Sequence, residues 1–147
     1  MCIDERIEQL FDKNAYLIDI FPERVSEKSD GRYFDVERYF QQNRSCIDRS
    51  FINVILKLYC YCDVIAVTQD GKYECPETEK LIDMLERCLC GETGFVNMFL
   101  PEYDALIALN RDDLYMTVYN ADGKLVELIA RLVSAEGLFF YEVPQTD

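Results

Sequence analysis

Two Cys-x-Cys pairs are the first candidates for chemistry, because four thiolates can hold a zinc ion. They are Cys60-Tyr61-Cys62 and Cys88-Leu89-Cys90, in a chain with seven cysteines. The second pair lies within a helical pattern, where residues two apart point about 200° apart around the turn. Two such thiols cannot chelate one ion. We therefore predict no metal site and seven reduced cysteines, with Cys88 buried and Cys90 more exposed.

A catalytic thiol is the second candidate, and it needs a nearby base or a helix N-terminus to form a thiolate. Cys75 precedes Pro76 at the start of a predicted helix, but its neighbours Glu74, Glu77 and Glu79 are acids that oppose a thiolate. The chain has no histidine, which excludes Ser–His–Asp and Cys–His catalysis and His-ligated zinc. We therefore predict no catalytic residue and no cofactor, and we lean towards a protein that is not an enzyme.

Carboxylates are the remaining groups that could catalyse a reaction or bind a metal, and the chain has 28 Asp and Glu residues. The sequence contains no EF-hand spacing and no Gly-rich phosphate loop. Asp112-Asp113 fits a solvated hairpin turn. Asp19 stands alone in an apolar strand, where it could line a pocket, face water or cap a neighbouring backbone group. We favour the last two roles.

The charges are distributed unevenly. Residues 1–75 carry a net charge of −4 and residues 76–147 a net charge of −9, within a total of −13. Between Glu92 and Asp122, six acids stand against Arg111 alone. Tyrosine beside Asp or Glu on a sheet face suits binding of a basic protein, because the ring supplies buried area and the acids steer the approach. The predicted partner-binding surface consists of Glu102, Tyr103, Asp104, Asp112, Asp113, Tyr115 and Tyr119. The competing interpretation is an ordinary acidic surface.

The excess of acids also bears on partners and location. Nucleic acid and anionic membranes both need clustered Lys and Arg, so we expect neither as a direct partner. Residues 1–5 carry acids where a signal peptide needs bases. The longest apolar runs, such as 105–109, are far shorter than the roughly 20 residues of a membrane span. We expect a cytoplasmic protein and leave its oligomeric state open.

Hydrophobic periodicity predicts the elements that must position these residues. Helices are expected near 2–13, 35–59, 77–90 and 122–135. Strands are expected at 16–21, 63–68, 95–100, 105–109, 114–119 and 138–143, with a short arm at 73–75. The apolar stripe of the second helix keeps its phase across 41–44. We therefore favour one helix there over a break into two.

The order α-β-α-β-α-β-β-β-α-β predicts a single α+β domain over residues 1–147. We expect a mixed, largely antiparallel sheet of five or six strands, packed with about four helices on one face or on both. The predicted core contains Ile7, Leu10, Ile18, Ile20, Phe40, Phe51, Val54, Leu58, Ile65, Leu85, Ile107, Met116, Val118, Ile129 and Phe139.

Short, acidic α+β chains without a catalytic motif are similar in type to bacterial immunity and antitoxin proteins, which block basic toxins by charge complementarity. No residue motif carries this similarity. The leading hypothesis is a non-enzymatic acidic protein-binding module, of the immunity or antitoxin kind, with a basic protein as its partner. One alternative is a small-molecule-binding or sensory domain with a concave pocket. The other is a carboxylate-only metal-dependent hydrolase, which needs at least three converging acids.

Overall fold

The centre of the fold is one antiparallel sheet. The computed structural model describes residues 2–29 and 31–144. The strands are β1 (Ala15–Asp19), β2 (Ile65–Thr68), β3 (Gly71–Glu74), β4 (Phe95–Leu100), β5 (Ala105–Asn110), β6 (Tyr115–Tyr119) and β7 (Phe139–Val143). Their order across the sheet is β3-β2-β4-β5-β6-β1-β7. The α+β class is confirmed.

The sheet differs from the prediction in two details. It has seven strands rather than five or six, because the short arm predicted at 73–75 forms the complete edge strand β3. Only Gln69 and Asp70 connect β2 to β3, and the Asp70 N–H donates to Thr68 Oγ1 at 3.1 Å. The sheet is also antiparallel at every pairing within the described residues, rather than mixed.

Five helices accompany the sheet, where about four were predicted. They are α1 (Ile3–Leu10), α2 (Arg32–Gln42), α3 (Ser45–Tyr59), α4 (Thr78–Leu89) and α5 (Gly123–Ala135). A short 3-10 turn spans Glu27–Ser29. Within the described ranges, no helix has the length and apolar character needed to cross a membrane.

The prediction of one helix over 35–59 is wrong. The chain leaves the helical conformation at Asn43, with φ −129° and ψ 54°, and its side-chain amide donates to the Tyr39 carbonyl oxygen at 2.9 Å. Arg44 donates from Nη2 to the Asp113 carbonyl oxygen at 2.9 Å. This contact lies at the β5–β6 turn, so the chain passes the end of the sheet between α2 and α3. Helix α3 packs into the main core on one face, whereas Tyr33 and Glu37 of α2 border a cavity that Asp19 and Tyr115 line on the other face. One straight helix could not reach both faces.

Helices cover both faces of the sheet, which settles the alternative that the sequence left open. The main core joins α3, α4 and α5 to one face and includes Phe51, Leu85, Ile107, Met116 and Ile129. A smaller cluster on the opposite face joins Ile7 and Leu10 of α1 to Phe99 and Leu106. Among the described residues, α1 supplies the apolar cover of this second face, and the candidate site lies beyond it on the same face.

Most of the predicted core is buried. The exceptions are Ile20, Phe40 and Ile65, which are half-buried, and Phe139, which is 43% exposed. Phe139 lies on β7, which pairs only with β1 at the edge of the sheet. Its prediction as a core residue is wrong, because an edge strand has a neighbour on one side only.

Candidate functional site

Strand register places Asp19 between two tyrosines that are distant in the sequence. In the β1–β6 pair, Asp19 lies opposite Tyr115, and in the β1–β7 pair, Leu17 lies opposite Tyr141. Side chains two residues apart on a strand point to the same face. Asp19, Tyr115 and Tyr141 therefore share the face opposite the main core. Tyr141 is a diagonal neighbour of Asp19, within reach of a long side chain.

Three donors hold the Asp19 carboxylate, which is only 9% exposed. Its Oδ1 accepts the backbone N–H groups of Ile20 at 2.7 Å and Phe21 at 3.3 Å. Its Oδ2 accepts the Tyr141 hydroxyl at 2.6 Å. Burial, together with this bond to a carboxylate, raises the pKa of Tyr141. Asp19 thus caps the backbone, as we favoured, but it also lines a cavity, the role that we did not favour.

The cavity above Asp19 has a volume of about 340 Å³. The sheet face forms its floor. The loop at 21–25 forms one wall, Tyr33 and Glu37 of α2 form a second, and the turn at 112–114 forms a third. The interruption of the helix at Asn43, which turns α2 away from α3, places this second wall beside the sheet. The site is thus built from three segments that only the folded chain brings together.

Carboxylates dominate the charge of this cavity. Within the described part of the chain, the acids that line it are Asp19, Glu23, Glu37, Asp112 and Asp113, and Arg24 is the only basic lining residue. Burial raises the pKa of Asp113 above its ordinary value, and the charges of Asp112 and Glu37 act in the same direction, whereas a hydrogen bond with Asn110 and the charge of Arg44 oppose the rise. Asp113 is thus repelled by two acids that line the same cavity. A bound cation would relieve this repulsion, whereas an anion would increase it.

Three phenol rings complete the lining, from Tyr33, Tyr115 and Tyr141. The Tyr33 hydroxyl donates to Glu37 Oε2 at 3.0 Å. Burial and this bond raise the pKa of Tyr33 to about 12. Burial also raises the pKa of Tyr115. The rings therefore stay neutral at physiological pH and offer aromatic surface beside carboxylates, a combination that attracts cations.

The seven predicted partner-binding residues do not form one surface. Glu102, Tyr103 and Asp104 precede β5, whereas Asp112 and Asp113 follow it. A six-residue strand at about 3.4 Å per residue separates the two turns by about 20 Å. Only the second turn borders the cavity. The structure therefore divides the predicted surface between two ends of the sheet.

Residues in the first turn already have partners within the chain. Arg6 of α1 forms a bidentate ion pair with Asp104, and its Nε lies 2.8 Å from Oδ1. Glu102 Oε1 accepts the Asp63 N–H at 3.1 Å, and Tyr103 packs against the main core. These contacts give the first turn a role in holding the fold together.

The two tyrosines of β6 were predicted to share an exposed face, and this is wrong in part. They do share a face, but both are half-buried. Tyr119 packs edge-on against Phe11 at the end of α1, with ring centroids 5.2 Å apart. Tyr115 lines the cavity. Of the seven predicted residues, Asp112, Asp113 and Tyr115 are thus the ones that lie together.

Five charged or tyrosine residues of the lining escaped the sequence analysis: Glu23, Arg24, Tyr33, Glu37 and Tyr141. One local signal was present, because Tyr33 and Glu37 are four residues apart on one face of a helix. The lone Asp19 in an apolar strand was a second signal. Nothing local indicated that the loop at 21–25 and β7 would meet the same cavity.

The described residues contain no group of three or more Cys, Asp or Glu side chains placed to hold a metal ion. All seven cysteines are free. Cys88 is buried and Cys90 exposed, which confirms the predicted phase of that helix.

The chain was also compared with protein-family models, curated proteins and solved structures. None of the three comparisons found a match. The functional argument therefore rests on the geometry of this site.

Proposed function

We propose that this chain is a non-enzymatic protein-binding module that docks a basic protein at the mouth of the acidic cavity, in the manner of an immunity or antitoxin inhibitor. One observation carries the proposal: five carboxylates and three phenol rings line the same cavity as a single arginine. Carboxylates and neutral phenols bind cations through charge, hydrogen bonds and ring faces.

The charge of the whole chain supports the same proposal. Its net charge is −13, and Asp112 projects from the cavity rim as an exposed side chain. Exposed charges of this kind act mainly on the association rate and are screened over about 8 Å at physiological salt. The acids therefore steer a basic partner towards the cavity, and the partly buried Asp113 and Tyr115 contact it after docking.

A double variant tests the proposal. Asp112→Asn with Asp113→Asn removes two rim charges. Asn also tolerates the positive φ of 73° at Asp112. We expect the variant to capture markedly less of a basic protein from an extract of the source organism than the wild-type chain does. With the captured protein purified, its association at low salt should slow several-fold, as measured by surface plasmon resonance.

A matched variant removes two charges elsewhere. Glu86→Gln with Glu127→Gln neutralises two exposed acids on α4 and α5, which cover the opposite face of the sheet. This variant should capture as much of the same basic protein as the wild-type chain does. Equal loss in both variants would show that total charge, and not the cavity, drives binding. Equal retention in both would place the contact elsewhere, and either result contradicts the proposal.

Binding of a small cation is a second candidate function, favoured by the cavity volume of about 340 Å³, within the range of small-molecule sites. Native mass spectrometry of the purified chain separates the two functions. A resident amine or guanidine adds its mass to the chain and is lost from the Asp112→Asn, Asp113→Asn variant. Under the first proposal, the chain carries no such added mass.

A further inference from the structure

We propose that the cavity receives one arginine side chain of the basic partner, with the guanidinium group between the phenol rings and the carboxylates of Glu37 and Asp113. This inference rests on the proposed function and names the group that the partner contributes. It adds a role for Arg24, whose guanidinium belongs to the same cavity and competes with that of the partner.

The size of the cavity limits what can enter it. Its volume of about 340 Å³ lies at the lower end of the range for ligand sites. One turn of an α-helix, about 10 Å across and 5.4 Å long, occupies roughly 420 Å³ and exceeds this volume, whereas one long side chain does not. The partner therefore contributes a side chain to the cavity, while its backbone stays at the rim near Asp112.

The lining favours arginine over lysine. Tyr33, Tyr115 and Tyr141 present ring surface, and a planar, weakly hydrated guanidinium stacks on such surfaces better than an ammonium group does. Carboxylates can also accept two parallel N–H bonds from a guanidinium. The Asp19 carboxylate and the Tyr141 hydroxyl hold each other at 2.6 Å. Part of the floor is therefore already in a fixed position before binding.

Arg24 provides a specific test of this inference. It is an exposed residue of the loop at 21–25, and it lines the cavity beside the acids. Burial raises the pKa values of Tyr115 and Tyr141, and the positive charge of Arg24 opposes both rises. A guanidinium of the chain itself thus already lies within the field of this cavity. The positive charge of Arg24 repels that of an incoming arginine, so removal of Arg24 should strengthen binding.

The probe for this inference is Nα-acetyl-L-arginine amide, with the lysine and citrulline amides as comparisons. Binding is followed by the ¹H–¹⁵N resonances of the intact chain at low salt. We expect the arginine amide to shift the backbone amides of Asp19, Tyr115 and Tyr141, and the lysine amide to bind several-fold more weakly. The neutral citrulline amide has nearly the shape of arginine and should produce no shift.

Variants with opposite expected effects make the test specific. Arg24→Gln should tighten binding of the arginine amide several-fold. Glu37→Gln should weaken it several-fold, while the amide oxygen still accepts the Tyr33 hydroxyl. Glu127→Gln, on the opposite side of the sheet, is the matched control for loss of one negative charge and should leave the dissociation constant unchanged.

Two results would overturn the inference. One is the absence of cavity shifts up to the solubility limit of the arginine amide. The other is weaker binding in Arg24→Gln, which would show that Arg24 supports binding of the ligand and does not compete with it. If the cavity variants still lose a captured basic protein while the arginine amide fails to bind, the inference is wrong and the proposed function stands. If that capture is independent of the cavity, the proposed function fails first.

Discussion

At the scale of single residues, the Asp19–Tyr141 pair joins the floor of the cavity to the stability of the sheet edge. The carboxylate is buried on a face that α1 covers only in part, and its bond to Tyr141 adds a side-chain link to the backbone pairing of β1 with the edge strand β7. An unpaired buried carboxylate oxygen is costly because it loses water without gaining a donor. The Tyr141 hydroxyl therefore contributes to stability as well as to the shape of the cavity.

Tyr141→Phe should lower the free energy of unfolding by about 1–3 kcal/mol, the cost of leaving a buried acceptor without its donor. Urea unfolding at neutral pH measures this change. Tyr61→Phe is the matched control, because Tyr61 is 64% exposed and should change stability by less than about 0.5 kcal/mol. Equal effects of the two substitutions would show that the Asp19 bond contributes nothing.

Titration of Tyr33 provides a second residue-scale prediction. Burial and the Glu37 carboxylate raise its pKa to about 12 from an ordinary value of 10.0. A raised pKa favours the protonated form in the folded state. Its stabilising contribution is therefore complete below pH 10 and is lost as the pH rises towards 12. In Glu37→Gln, the NMR-detected titration of Tyr33 should move to lower pH, and an unchanged midpoint would contradict this.

The cysteines should react in two classes. Five are exposed, whereas Cys62 and Cys88 are buried, and burial raises the pKa of both thiols to about 11. Iodoacetamide at pH 8 should therefore label five thiols of the native chain, with two more labelled after unfolding. Mass spectrometry of the labelled peptides measures this, and labelling of Cys88 before Cys90 would be inconsistent with the α4 packing.

At the scale of elements, α2 and α3 show that a hydrophobic pattern with continuous helical phase in the sequence can belong to two separate helices. Every residue of α2 is at least partly exposed, whereas α3 buries Phe51, Val54, Ile55 and Leu58. The stripe predicts that both segments are helical. It carries no information about the turn at Asn43, because periodicity reports the inward side of a helix and not which surface lies there.

Removal of a large side chain should therefore change the stability of the protein by different amounts in the two helices. Phe34→Ala in α2 should change stability by less than about 0.5 kcal/mol, because Phe34 is 65% exposed. Phe51→Ala in α3 should cost about 3–5 kcal/mol, because its side chain is 1% exposed. Urea unfolding compares the two variants. A large loss in Phe34→Ala would indicate that α2 packs more tightly than this structure shows.

Docking of α1 depends on the Arg6–Asp104 pair as well as on Ile7 and Leu10. The bonds from Arg6 lower the pKa of Asp104. A lowered pKa means that this stabilisation is present above the ordinary carboxyl value and is lost as the pH falls through the folded value. Arg6→Gln should speed hydrogen exchange in α1 several-fold at neutral pH, and acidification should bring the wild-type chain towards the variant.

Lys57→Gln is the matched control for that experiment, since it removes the 2.6 Å ion pair between Lys57 and Glu136 on the other side of the sheet. Exchange in α1 should not change in this variant. Faster hydrogen exchange of α1 in both variants would indicate general destabilisation and would contradict a specific role of Arg6 in docking α1.

At the scale of the whole molecule, a net charge of −13 has opposite consequences for folding and for binding. Self-repulsion destabilises the folded chain at low salt, and screening relieves it. The free energy of unfolding should therefore rise as sodium chloride is added, while association with a basic partner slows. Urea unfolding and association kinetics in the same buffers test both trends. A stability that falls with salt would mean that internal ion pairs outweigh the repulsion.

The sequence by itself determined the class of the fold and nearly all of its elements. Helix and strand periodicities are local, because they follow from the geometry of neighbouring residues. The predicted helices near 2–13, 77–90 and 122–135 are confirmed within three residues at each end. The alternation along 114–119 likewise identified which side chains of β6 face the main core.

Only the tertiary structure decided where the candidate site lies. Asp19 and Tyr141 are 122 residues apart, and they meet because β1 is inserted between β6 and β7. That pairing depends on long-range register, which local patterns do not encode. The acids and tyrosines were visible in the composition. Their separation into a structural group around Asp104 and a cavity group around Asp113 followed from the direction of β5, whose length places the two turns at opposite ends of the sheet.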